Sequence, residues 1–347
     1  MRILAIDYIT YKGHRTFNQI HIESLAKLGH NITLVAREMA ITEIEESDNV
    51  NKITLPKWYE KQYPFYFLSE RIKGIIALRW IRRKVDIPKF DLVLFLAYDI
   101  MTITTCKLKN RVLLVNHNNI AQLDNRFKLR LTRKLPYNYV HIVLTKDALE
   151  RLKQLVSHRA FYVPHGYLEQ DGRIKCPQCV REINRFIFIP VNRWIDSNLL
   201  NTVFSSRQVY DYLTGNGIRI ILKKGVFSIF GNPDSFVFLD SYIPDDEYRY
   251  LLKNAIGVVL PYNKDFIYRS SGIMFECVAN KSTIIASDIP SMKAYENQLK
   301  ITYFKDAESF LNCIRTIETT DLFEYNPLAF QPDSYWFTVL NGGPNNG

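Results

Sequence analysis

Cysteine is scarce, with five in 347 residues, and the pair Cys176-Pro177-Gln178-Cys179 does not make the even, regularly spaced framework of a small disulfide-stapled fold. A single C-x-x-C also lacks the second ligand pair of a structural zinc site, so no metal is expected. Glycine and proline, 14 of each, are too few for a low-complexity chain. The longest apolar runs, such as Leu92 to Ala97 and Ala255 to Leu260, fall far short of the roughly 18 residues that cross a bilayer. No charged leader followed by an apolar stretch and a cleavage site opens the sequence, and a cytoplasmic protein is the expectation. No G-x-G-x-x-G follows the first strand candidate, which argues against a nicotinamide dehydrogenase.

What is present is an ordinary globular composition, 47% hydrophobic and 23% charged, in a chain long enough for two cores. The net charge of +10 is lopsided. Residues 1–170 hold 27 of the 45 Lys+Arg and 16 of the 35 Asp+Glu, a net of +11, and the remainder carries −1. That asymmetry points to an anionic partner for the first half, or to a basic solvated face.

Arg2 to Asp7 reads as a buried strand, Ile20, Ile22, Leu25 and Leu28 as a helix face ended by Gly29, and Asn31 to Ala36 as a second strand. This β-loop-α-β unit is the building block of a parallel sheet. Alternating strands and helices continue to residue 166, and residues 167–184, aperiodic and charged, read as a linker. A second α/β series runs over 185–320. It includes a helix at Asp245 to Asn254 whose acidic first turn suits the positive end of the helix dipole. Residues 321–347 form a proline-containing tail, expected to return toward the first domain, with its last residues disordered.

The most informative stretch is the strand Val258 to Tyr262, a loop, and then Tyr268-Arg269-Ser270-Ser271-Gly272-Ile273-Met274-Phe275-Glu276. Ser270, Ser271 and Gly272 open a helix, so their amides and hydroxyls can receive phosphate oxygens. Glu276 lies just over one turn further on the same side, where a carboxylate can accept ribose hydroxyls. Taken by itself the pattern also describes a Ser-capped helix with an exposed Glu.

This segment resembles the donor site of the family 4 glycosyltransferases and their GT-B relatives. The likeness extends along nearly the whole chain: Arg2 to Asp7 with the Gly13 loop, Leu28-Gly29-His30-Asn31, Val112 to Asn118 with His117, Tyr162-Val163-Pro164-His165-Gly166, and Phe238 to Pro244. It implies two Rossmann-like doubly wound domains facing each other across a cleft, a nucleotide-sugar donor of UDP or GDP type, no cofactor, and retention of anomeric configuration. It further implies donor contacts from Gly13, Tyr242, Ile243, Ser270, Ser271, Gly272 and Glu276 and catalytic roles for His117 and Arg193; Tyr268 on the same loop is counted with the donor contacts, and Arg269, which abuts the phosphate-binding turn, with the catalytic set. The absence of a D-x-D cluster agrees with metal-independent transfer.

The sequence departs from the family pattern in three respects. Tyr268 stands eight residues before Glu276, where an acid is usual, and Asp265 is a possible substitute. Asn198 replaces a basic residue that follows Arg193, which leaves Arg269, Lys223 and Lys224 to neutralise the diphosphate. Lys281 and Thr283 replace a glycine and a proline, and Asn280 is expected to take the left-handed cap. The acceptor is expected to be a glycan or lipid-linked saccharide in cell-surface polysaccharide synthesis. Residues 71–84 read either as a basic helix that docks on anionic membrane or as a plain crossover helix. Other readings are a catalytically inactive homologue, a nucleotide-sugar 2-epimerase and a DNA glucosyltransferase. With no recognition helix or stacking motif, nucleic acid is not an expected partner.

Overall fold

The computed structural model describes residues 1–9, 14–60, 66–169, 172–191, 193–223, 235–240, 242–319 and 325–342. The chain divides into two compact units: Met1–Gly166 with Tyr268–Ser270 and Phe330–Gly347, and Tyr167–Ile267 with Ser271–Ala329.

The first unit is a parallel sheet of β1 (Arg2–Asp7), β2 (Asn31–Ala36), β3 (Val50–Thr54), β4 (Leu92–Ala97), β5 (Arg111–Asn116), β6 (Tyr139–Val143) and β7 (Ala160–Tyr162), in the order β3-β2-β1-β4-β5-β6-β7. Between them run α1 (Arg15–Lys27), α2 (Glu38–Ile41), α3 (Tyr66–Lys84), α4 (Ile100–Ile103), α5 (Arg126–Arg133) and α6 (Lys146–Leu155). All six residues of β4 are buried, as its unbroken apolar run requires of a strand covered on both faces. Alternation divides the core in two. Ile3 and Ala5 pack with Phe17 and Leu25 of α1, whereas Leu4 and Ile6 pack with Ala77, Leu78 and Ile81 of α3. Residues 71–84 are therefore part of a crossover helix with an apolar face on the sheet.

The second unit contains β8 (Arg185–Ile189), β9 (Ile218–Lys223), β10 (Phe236–Leu239), β11 (Gly257–Leu260), β12 (Ile284–Ser287) and β13 (Ile301–Phe304), in the order β10-β9-β8-β11-β12-β13. Its helices are α7 (Ser197–Phe204), α8 (Arg207–Gly215), α9 (Asp245–Asn254), α10 (Gly272–Ala279), α11 (Pro290–Lys293) and α12 (Ala307–Thr319). In sequence rank this is the 3-2-1-4-5-6 order of a doubly wound sheet. The segment before β8 lies along α9, with the Lys175 amide donating to the Asp246 carbonyl at 3.3 Å and its ammonium 3.0 Å from Glu247.

The last helix, α13 (Pro332–Leu340), belongs to the first unit. Its Trp336 is fully buried beside Phe17 and Leu25, and Arg111 donates to the carbonyls of Val339 and Leu340 at 2.6 and 3.0 Å, which satisfies the helix end. Gly166 has φ 78°, and a Cβ there would sit 2.6 Å from Ile20, so both backbone and packing demand glycine. The left-handed residue after α10 is Lys281, at φ 55°, and not Asn280, which stays at φ −97° and uses its amide side chain to donate to the Glu276 carbonyl. Disorder expected of the last residues concerns 343–347, outside the described set.

Candidate functional site

In a doubly wound sheet the strand order reverses at one point, and the loops leaving the strand ends there diverge to leave a crevice. In the second unit that point lies between β8 and β11. The two loops are stitched together: the Asp196 amide donates to the Pro261 carbonyl at 2.8 Å and the Asn263 amide to Trp194 at 2.7 Å. Arg193 sits exposed on the first loop. Trp194 has φ 61°, and Tyr268 on the second loop has φ 53°. A bulky side chain in the left-handed region costs about 1–3 kcal/mol, and such strain concentrates at ligand sites.

α10 begins with Ser271 as its cap. The hydroxyl accepts from the Met274 amide at 3.1 Å and shares a 2.7 Å hydrogen bond with the Tyr262 hydroxyl. The first-turn amides of Gly272 and Ile273 have no acceptor within the helix and can meet an anion. Ser271 therefore builds the helix start, and an alanine there is expected to cost about 1 kcal/mol of stability, read as a lower urea midpoint at unchanged m.

Glu276 is half-buried, and its Oε2 accepts from the Tyr248 hydroxyl of α9 at 2.9 Å. Burial raises its pKa, opposed by the Tyr248 hydrogen bond and by Lys223 at the end of β9, whose ammonium lies 5.4 Å from the Tyr248 ring centroid. Lys223 is itself lowered by burial and partly restored by Glu276. Tyr248 thereby fixes one carboxylate oxygen. Tyr242 is exposed and Ile243 buried on the segment from β10 into α9. Asn198 and Asp265 line an open pocket of about 720 Å3 with Asp196, Lys264 and Asp288.

Tyr268, Arg269 and Ser270 pack with the first unit. Arg269 is buried, and the Tyr268 ring rests against the cluster of Val143, Leu149 and Tyr162. Gly13 and Lys224 lie outside the described residues.

The first sheet reverses between β1 and β4, and a group of histidines gathers at that edge. The His14 and His117 rings are 4.0 Å apart, and Phe17 lies 4.1, 4.6 and 5.0 Å from His21, His117 and His165. Carbonyl oxygens only accept, which settles the tautomers. His117 donates through Nε2 to the Leu96 carbonyl at 2.9 Å and keeps Nδ1 as an acceptor. His21 donates through Nε2 to the His165 carbonyl at 3.1 Å and accepts at Nδ1 from Trp336 at 2.9 Å. His165 donates through Nδ1 to the Gly166 carbonyl at 3.1 Å. Burial depresses all four pKa values: His14 and His165 to about 4, His117 and His21 well below the usual value, with neighbouring imidazoles adding to the effect in His14, His21 and His117. Near neutral pH the group is uncharged, so the free ring nitrogen of His117 is a hydrogen-bond acceptor.

Sequence reasoning reached His117 and Glu276 but not Tyr248, Tyr262, His21 or Trp336. The faces of α9 and α10 place Tyr248 and Glu276 at one boundary, a signal that appears only once the two helices are known to be neighbours. His21 sits among apolar helix positions, where a buried histidine looks like any core residue.

Two doubly wound parallel sheets with these strand orders define the GT-B fold of glycosyltransferases and related enzymes. Over 98% of this chain and 100% of the other, the structure is similar to HepE of Anabaena in complex with UDP-glucose, with TM-score 0.63 at 11% identity. It is also similar to the trehalose-6-phosphate synthase of Burkholderia multivorans, TM-score 0.63 and 10% identity over 99% and 97% of the two chains. A Listeria monocytogenes protein described as a UDP-N-acetylglucosamine 2-epimerase gives TM-score 0.60 and 11% identity over 100% and 98%. No protein-family model and no curated protein matches the sequence.

Proposed function

We propose that this chain is a glycosyltransferase that moves a sugar from a UDP- or GDP-type donor to a glycan or lipid-linked acceptor in cell-surface polysaccharide synthesis. The observation that carries the reading is Glu276, held by Tyr248 one turn beyond the free amides of the α10 start. That pairing supplies acceptors for ribose hydroxyls and donors for a diphosphate. UDP-glucose bound to HepE, which has a similar fold, supports a uridine donor.

In this mechanism charge develops on the departing diphosphate, and Arg193, Arg269 and the amides of Gly272 and Ile273 stabilise it. Tyr242 and Ile243 flank the base, and Ser270 contributes its hydroxyl to the phosphates. The lone pair on His117 Nδ1 orients a sugar hydroxyl. By resemblance to family 4 the transfer retains configuration and needs no metal.

Thermal melts with UDP, GDP and CMP sugars test the reading. The cognate nucleotide at about 100 times its Kd stabilises the fold by about 2.7 kcal/mol, a rise of a few degrees. No shift with any nucleotide would remove the basis for a donor site. Tyr268 in the place of an acid also favours a second reading, a sugar-nucleotide binder without turnover. Donor hydrolysis without acceptor separates the two.

A further inference from the structure

The structure assigns an anionic-membrane docking face to the first unit, formed by the outward stripes of α3 and α5. Both helices pack on the same side of the sheet, where Ile81 of α3 and Leu131 of α5 join the core cluster of Leu4, Ile6, Val93 and Phe95. With one face fixed inward, the opposite face of each is set by helical spacing.

On α3 that face shows Ile72 at 50% and Ile76 at 41% exposure, followed by exposed Arg79 and Arg83. These positions stand at i, i+4, i+7 and i+11 and make one stripe. On α5 and the turn after it, exposed Arg126, Phe127, Arg130, Arg133, Lys134 and Tyr137 repeat the arrangement, Phe127 at 57% and Tyr137 at 87%. No acid occurs from Arg71 to Val85 or from Asn125 to Lys146. Four acids bound these stretches, Glu70, Asp86, Asp124 and Asp147, of which Asp86 is paired with Lys89 at 3.2 Å and Asp124 with Arg151 at 2.9 Å. Beside the end of α3, Arg82, Lys107 and Lys109 line a pocket of about 480 Å3.

Large apolar side chains left in water between arginines, on two helices whose inner faces are already packed, suit an interface with both hydrocarbon and negative charge. Anionic phospholipid supplies both, whereas a nucleic-acid backbone offers charge with nothing for Ile72 and Ile76. The surplus of positive charge in residues 1–170 is in part this face.

This assignment does not rest on the donor site. Flotation of the full chain with vesicles of phosphatidylcholine alone or with about 30% phosphatidylglycerol tests it. The chain is expected to float with the anionic vesicles only and to be released by salt as the Debye length shortens. Arg126→Glu with Arg130→Glu lowers the bound fraction roughly tenfold or more, and Phe127→Ser with Tyr137→Ser weakens it severalfold, both with an unchanged melting temperature; Arg133 is left in place because it donates to the Leu155 carbonyl at 2.9 Å. Arg207→Glu on α8, a charge reversal in the other unit, leaves binding unchanged. Three results would overturn the proposal: no binding to anionic vesicles, equal binding to both vesicle types, or equal loss with Arg207→Glu. Tighter binding to duplex DNA than to vesicles, abolished by the same α5 variant, would assign the face to nucleic acid instead. Nucleotide-induced stabilisation in the α5 variant stays at the wild-type level, so failure here is distinct from failure of the donor site.

Discussion

Lowering the pH from 7 to 4.5 is expected to remove several kcal/mol of stability from the first unit, and its buried histidines, the group at the sheet edge together with His141, whose pKa burial lowers to about 3, are the cause. In the unfolded chain an imidazole takes its proton near pH 6.5. In the folded chain burial withholds that proton from His14 and His165 until about pH 4. Between those values the unfolded state binds more protons, so stability rises with pH across the window and is lost as pH falls through it. A shift from 6.5 to about 4 corresponds to about 3 kcal/mol for a single group. His21 and His117 act in the same direction, since His21 has both ring nitrogens committed, to the His165 carbonyl and to Trp336.

Urea titrations between pH 7.5 and 4.5 measure the effect, with Trp336 fluorescence a natural probe of this unit. The expected result is a midpoint that falls steadily below pH 6.5. His14→Gln, which removes one titrating ring from contact with His117, flattens part of that slope. A midpoint independent of pH over the same range would mean that these rings are solvated and not held neutral.

The group also shows where sequence reading stops. Strands such as Leu92–Ala97 and Val258 to Leu260 are legible because burial on both faces of a parallel sheet demands an unbroken apolar run, and the α9 and α10 starts because acids and Ser271 answer a helix N-terminus. His14, His21, His117 and His165 span about 150 residues and meet only because the order β3-β2-β1-β4-β5 brings the ends of β1 and β5 to one edge. Backbone conformation is equally hidden. Asn280 has the better intrinsic tolerance for the left-handed region, yet Lys281 takes it, because Asn280 closes the helix with hydrogen bonds from its backbone and side-chain amides to the Glu276 carbonyl. Tyr268, conspicuous in sequence as a phenol where an acid is usual, turns out to be a left-handed residue packed in an apolar cluster. Its ring fills space and its backbone turns the chain ahead of the α10 start, so the proposed donor site has no second carboxylate at that position.

On the proposed function Glu276 is the group on which nucleotide binding turns, and Glu276→Gln is expected to weaken binding of the cognate nucleoside diphosphate by about 10- to 100-fold. A hydrogen bond to a charged acceptor contributes about 1.5–3 kcal/mol, and in Glu276→Gln the ribose hydroxyls would meet a neutral amide in place of that charged oxygen while the shape of the site stays the same. Tyr248→Phe separates positioning from contact. The phenol donates to Glu276 Oε2, so its loss frees the carboxylate to rotate and removes one brake on its raised pKa. The expected consequence is a severalfold weakening that is larger at pH 6 than at pH 8, because the variant's carboxyl holds its proton to higher pH and a protonated Glu276 accepts poorly. Isothermal titration at the two pH values reads both variants. Equal affinities for wild type and Glu276→Gln would place the ribose elsewhere, whereas a pH-independent loss in Tyr248→Phe would show that Tyr248 acts by packing against Phe188, 5.8 Å away between ring centroids, and not by fixing the acid.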